Sequence, residues 1–133
     1  GQSKLANLLF TLGLSRRLAE THRHVLAVAA HPGYAATDLQ RRGPEAEKSR
    51  LMGSLMAASN AIFAQSASKG ALPTLRAATD PTAENGDYFG PGGPFESFGS
   101  PVKVKGNAKS QDVAVADRLW EVSEKLTGVR YAF

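Results

Sequence analysis

The chain has 133 residues, 42% of them hydrophobic and 21% charged, which is enough for one packed domain and outside the composition of a disordered segment. Its 16 Lys and Arg outnumber 12 Asp and Glu for a net charge of +4. These cations are scattered over Arg16, Arg17, Arg41, Arg42, Lys103, Lys105 and Lys109, not gathered on one face between aromatics, so no nucleic-acid partner is expected. Cysteine is absent, which excludes disulfides and thiolate metal sites and is compatible with a reducing, cytoplasmic setting. No apolar run reaches the ~18 residues of a membrane span, and no signal peptide is legible.

Residues 3–21 predict an amphipathic helix. Leu5, Leu8, Leu9, Leu12 and Leu18 recur at three- and four-residue steps, with Arg16, Arg17 and Glu20 toward its end. Gly1 opens almost directly into this pattern without a capping residue, so the chain reads as the C-terminal part of something larger. Val25–Ala30 follows as an unbroken apolar run, the pattern of a strand covered on both faces in a parallel sheet. Pro32 lacks a donor and Gly33 permits positive φ, so His31-Pro32-Gly33 ends that strand. Ligands in open α/β sheets settle where strands end at their carboxyl edge, and Thr37 and Asp38 place a hydroxyl and a carboxylate just beyond. The same residues fit an ordinary turn equally well.

Gln40–Arg50 is polar and broken by Gly43-Pro44. Pro44 suits the first turn of a short helix whose start is favoured by Glu45 and Glu47. Leu51, Met52, Leu55 and Met56 then form an apolar face that reads as core filler or as a cover over a ligand. Ser59–Thr79 predicts a second helix, with a kink or restart at Pro73. Asp80-Pro81 ends it, Glu84-Asn85-Gly86 is a turn, and Asp87-Tyr88-Phe89 a short strand. The Gly- and Pro-rich stretch 90–106 superficially suggests a phosphate loop. Its prolines remove amide donors and no Gly-Lys-Ser/Thr follows, so it reads as a structural loop at a sheet edge. Asp112–Thr127 predicts a last helix, with Gly128 just past its end.

Several segments in this order resemble the short-chain dehydrogenase/reductase family, in particular its retinol-dehydrogenase-like and WW-domain-oxidoreductase-like members. Ser3-Lys4-Leu5-Ala6-Asn7 is similar to the right-hand part of the Tyr-x-x-x-Lys signature, and His31–Thr37 to the Pro-Gly segment at the nicotinamide. Gln65–Ala71, Gly86–Pro91 and Leu119–Ser123 resemble the C-terminal portion of those members. The signature tyrosine would fall immediately before Gly1. The Gly-rich dinucleotide turn, the ribose selector and the catalytic serine belong to an N-terminal half outside this sequence.

The resemblance implies an α/β fold, the C-terminal portion of a Rossmann-like doubly wound parallel sheet, with residues 1–133 as part of a single NAD(P)-binding domain. It implies NAD or NADP as cofactor and hydride transfer between a carbonyl and an alcohol. A tyrosine one helical turn before Lys4 would share its face, and an ammonium close by lowers a phenol's pKa toward that of a working acid and base. Lys4 is thus the catalytic candidate and, with Pro32, Gly33, Ala35 and Thr37, a cofactor-binding one. Tyr34, Met52 and Met56 are the substrate candidates, the last two within a substrate-covering segment over 40–58 suited to an apolar alcohol or ketone. His31 reads as a strand-end histidine satisfied by its neighbours. His22 and His24 have no third ligand nearby, so no metal site is expected. The first helix implies a homo-oligomer, and its leucines suit packing on its own sheet as well. The rival reading, from a different class, is a non-catalytic Rossmann-like module for binding or assembly, inactive by itself.

Overall fold

The computed structural model describes residues 1–21, 24–34 and 65–132. Among them the elements are α1 (Gln2–Glu20), β1 (Ala29–Ala30), α2 (Ala67–Thr79), β2 (Tyr88–Pro91), β3 (Pro101–Lys103) and α3 (Val113–Thr127), with 3-10 turns at Pro94–Glu96 and Ala108–Gln111. The strands form one sheet in the order β1-β2-β3. Ala29 N–H donates to Asp87 O at 2.8 Å and His31 N–H to Phe89 O at 2.9 Å, both partners advancing by two residues in the same direction, so β1 and β2 are parallel. β3 is antiparallel to β2, with Phe89 opposite Lys103, Gly90 opposite Val102 and Pro91 opposite Pro101.

The α/β character expected from the sequence is present, but the sheet is mixed, not all-parallel. The stretch 90–106 is a hairpin instead of a plain loop, its ladder continued by Gly92 N–H to Ser100 O and Gly93 N–H to Phe98 O. The expected strand over 25–30 is paired as a strand only at Ala29–Ala30. Val25 and Leu26 are 53% and 51% exposed, so the run is not covered on both faces among the described residues, and apolarity alone does not supply the covering layer.

The described residues fall into two compact units. The first comprises Gly1–Ala29, Thr79–Tyr88 and Val104–Phe133, and within it α1 packs on α3 and on the turn at Ala108–Gln111. Leu9, Leu18, Ala27, Ala116 and Trp120 are its buried apolar side chains among the described residues. Phe10 stacks on Trp120 with ring centroids 5.2 Å apart, and the Arg17 guanidinium lies 4.4 Å from the Trp120 ring centroid. Arg17 also pairs with Asp117 at 3.2 Å, and Trp120 Nε1–H donates to Glu124 Oε1 at 3.0 Å.

The C-terminal end of α3 follows the sequence expectation, while its first residue is Val113 and Asp112, expected as the first helical residue, is its cap. Asp112 Oδ1 accepts from Val115 N–H at 3.0 Å, and Gly128 takes φ 71 with its N–H on Glu124 O. The turn at 84–86 also holds, with Asp87 N–H on Glu84 O and Gly86 at φ 92. Asn85 ties it inward, accepting from Ala27 N–H at 2.9 Å and donating to Ser15 O at 2.6 Å.

The second unit comprises Ala30–Ala78 and Phe89–Lys103. Its helix α2 starts at Ala67, not at Ser59: Gln65 and Ser66 are not helical, and residues 59–64 lie outside the described ones. Ser66 explains the start, because its hydroxyl accepts from Lys69 N–H at 3.3 Å and its carbonyl from Gly70 N–H at 2.9 Å. α2 runs on through Pro73, whose side chain is fully buried. Phe89 has no exposure, and Arg76 lies 5.7 Å from its ring centroid while donating to Pro101 O.

Candidate functional site

Of the residues implicated by sequence, Lys4 stands on the opening turn of α1 with its side chain exposed, in the first unit. Pro32, Gly33 and Tyr34 form the bend after β1, in the second. Ala35, Thr37, Met52, Met56 and the expected substrate cover over 40–58 lie outside the described residues.

Each residue of the bend is held by a group distant in sequence or by the histidine before it. His31 Nδ1 accepts from Gly33 N–H at 3.2 Å, and His31 Nε2 lies 3.0 Å from Glu96 Oε2. An Nδ1 that accepts leaves the proton on Nε2, which therefore donates to the Glu96 carboxylate; the two bonds together select one neutral tautomer. His31 is thus the strand-end histidine satisfied by its neighbours that the sequence implied. Its ring also lies against Gly90, where a Cβ would fall 2.1 Å from Nε2.

Gly33 has φ 67, and a Cβ there would meet Ser97 O at 2.5 Å and Pro91 Cγ at 2.6 Å. The protein's own hairpin therefore demands glycine at this position, through both the left-handed backbone and the lack of space. Tyr34 N–H donates to Ser97 O at 2.7 Å, and its ring is exposed.

Gln65, just before α2, grips the other side of the bend. Its backbone N–H donates to Tyr34 O at 3.0 Å, and its Nε2 donates to Pro32 O at 2.6 Å. The amide orientation follows from chemistry, since a carbonyl oxygen can only accept. Gln65 is 7% exposed, and its Oε1 is buried with no hydrogen-bond partner among the described residues.

Sequence reasoning assigned no role to Gln65 or Glu96. They stand 33 and 65 residues from their partners at the bend, and no local pattern announces such a pairing. The backbone strain of this unit gathers beside Glu96: Phe95 and Glu96 both take φ 53, the positive-φ non-glycine residues among those described.

No model of a known protein family matches the chain. Individual relatives do. Retinol dehydrogenase 12 of Mus musculus is 32% identical over 98% of this chain and 36% of its own length. Retinol dehydrogenase 14 of Homo sapiens is 32% identical over 96% of this chain and 34% of its own. The chloroplastic short-chain dehydrogenase TIC 32 A of Brassica napus is 32% identical over 95% and 35%. Among solved structures, that of an uncharacterized protein from Mycobacterium Paratuberculosis matches with a TM-score of 0.69 and 34% identity, covering 99% of this chain and 39% of that one. The chain is therefore homologous, along nearly its whole length, to retinol dehydrogenases and to a short-chain dehydrogenase. It spans about a third of the length of the curated relatives it matches. Among the described residues no helix is long and apolar enough to cross a membrane.

Proposed function

We propose that the chain is the C-terminal part of an NAD(P)(H)-dependent oxidoreductase that interconverts a carbonyl and an alcohol. The observation that carries this is the identity of about a third to retinol dehydrogenases and a short-chain dehydrogenase over 95–98% of the chain. A bound nicotinamide dinucleotide supplies the hydride, and the chain's residues are of the chemical kind such a group needs. Lys4 brings an ammonium that donates to ribose hydroxyls and holds the phenol of a tyrosine one turn earlier near its working pKa. Gly33 brings backbone without a side chain, next to Pro32, in a bend held in place by His31, Ser97 and Gln65. A buried, unpartnered acceptor beside that backbone suits a ligand that carries N–H donors.

Ala35 and Thr37 complete the cofactor contacts in this reading. Tyr34, with Met52 and Met56 of the segment 40–58, faces an apolar alcohol or ketone. The fold of the intact enzyme is a doubly wound Rossmann-like sheet, its helix α1 takes part in a homo-oligomer, and it works in the cytoplasm.

The test is Lys4→Ala in the full-length protein, assayed against a panel of apolar alcohols and ketones. Turnover should fall by about 10²–10⁴-fold, the usual reach of positioned acid–base catalysis. Near-normal turnover would strip Lys4 of its role. A full-length protein that binds neither NAD(H) nor NADP(H) would overturn the reading and favour a non-catalytic module.

A further inference from the structure

Gln65 is the residue of the second unit to whose buried acceptor the functional reading assigns no particular donor. Its backbone N–H donates to Tyr34 O and its side-chain Nε2 to Pro32 O. Its side-chain Oε1 is buried, with no hydrogen-bond partner among the described residues. A buried acceptor without a donor is destabilised relative to a satisfied one. The side chain cannot relieve this by flipping its amide, because Oε1 would then face the Pro32 carbonyl, acceptor against acceptor. Nor is a rotation toward solvent free of cost, since it would surrender the 2.6 Å bond to Pro32 O. The side chain is therefore a preset acceptor, fixed by the same bend that the proposed function places under the nicotinamide.

We propose that Gln65 is a cofactor-binding residue: with Nε2 anchored on Pro32 O, its Oε1 accepts a hydrogen bond from the carboxamide N–H of the nicotinamide. This rests on the proposed function and adds to it a residue from outside the His31–Thr37 segment. It also gives Gln65 a second effect, since the anchor that presents Oε1 holds the Pro32 carbonyl as well. The bend and the acceptor are thus set by one side chain.

A binding measurement tests this without turnover. The full-length protein is titrated with its dinucleotide and with the 3-acetylpyridine analogue, in which a methyl group replaces the carboxamide NH2. The unsubstituted protein should bind the carboxamide form about 10-fold more tightly, the worth of one hydrogen bond at roughly 1.4 kcal/mol. In Gln65→Met, close in shape but without the amide, the preference should shrink to about 3-fold or less. Thermal melts establish that Gln65→Met is folded.

Equal binding of both dinucleotides by the unsubstituted protein overturns the proposal without reference to any variant. So does a preference that Gln65→Met leaves intact. Failure to bind either dinucleotide points instead to a failure of the oxidoreductase reading, so the two can be told apart.

Discussion

Phe95 shows how a single residue reports on the arrangement around it. Its side chain is 99% exposed, yet its backbone sits at φ 53, where a bulky residue is strained. No burial of the ring offsets that strain. The conformation is imposed by the next two residues, Glu96 through His31 and Ser97 through Tyr34 N–H. Phe95→Asn should therefore stabilise the protein by up to about 1 kcal/mol, because asparagine visits the left-handed region readily. A thermal melt checks this, and a lower melting temperature would mean that the ring makes a contact worth more than the strain. At this scale the sequence was informative about His31 and Gly33, whose neighbours in the chain already announce a strand end. It was silent about Gln65 and Glu96, because a side chain's partner 33 or 65 residues away leaves no local pattern.

Among the elements, α3 was the most legible. Its extent and its Gly128 stop came from local signals that tertiary context did not override, the one shift being that Asp112 caps the helix instead of opening it. Asp112→Ala should cost about 1 kcal/mol by leaving the Val115 N–H without its acceptor, measured as a lower midpoint in denaturant unfolding with unchanged slope. An unchanged midpoint would mean that another group or water replaces the cap. α2 was less legible: the polar Gln65-Ser66-Ala67-Ser68 continues a helical composition, yet Ser66 caps a helix that begins only at Ala67. β3 was missed. Three residues of strand in a Gly- and Pro-rich stretch carry no alternation to detect, and their pairing with β2 comes from the hairpin closing around Gly92 and Gly93.

For the molecule as a whole, the proposed function predicts linkage between cofactor and stability. A ligand that binds only the folded protein at 100 times its dissociation constant adds about 2.7 kcal/mol to the unfolding free energy. Full-length protein in saturating NAD(H) or NADP(H) should therefore melt several degrees higher than without it. The dinucleotide that produces the shift identifies the preferred cofactor. No shift with either, at concentrations well above those of ordinary dehydrogenase binding, would contradict the reading.

Local signals in the chain carried its α/β class, and its kinship was legible only as the resemblance of whole segments to one family. The leucine spacing of α1, the Pro-Gly break after an apolar run and the capped last helix each depend on residues within a few positions of one another, and so are written in consecutive residues. What the tertiary structure alone decided is how the bend is held. Glycine at 33 is enforced by Ser97 O and Pro91, the tautomer of His31 by Glu96, and the Pro32 carbonyl by Gln65. Those partners meet only once the hairpin and the start of α2 close on the end of β1, and contacts made by chain closure have no counterpart in any short stretch of sequence.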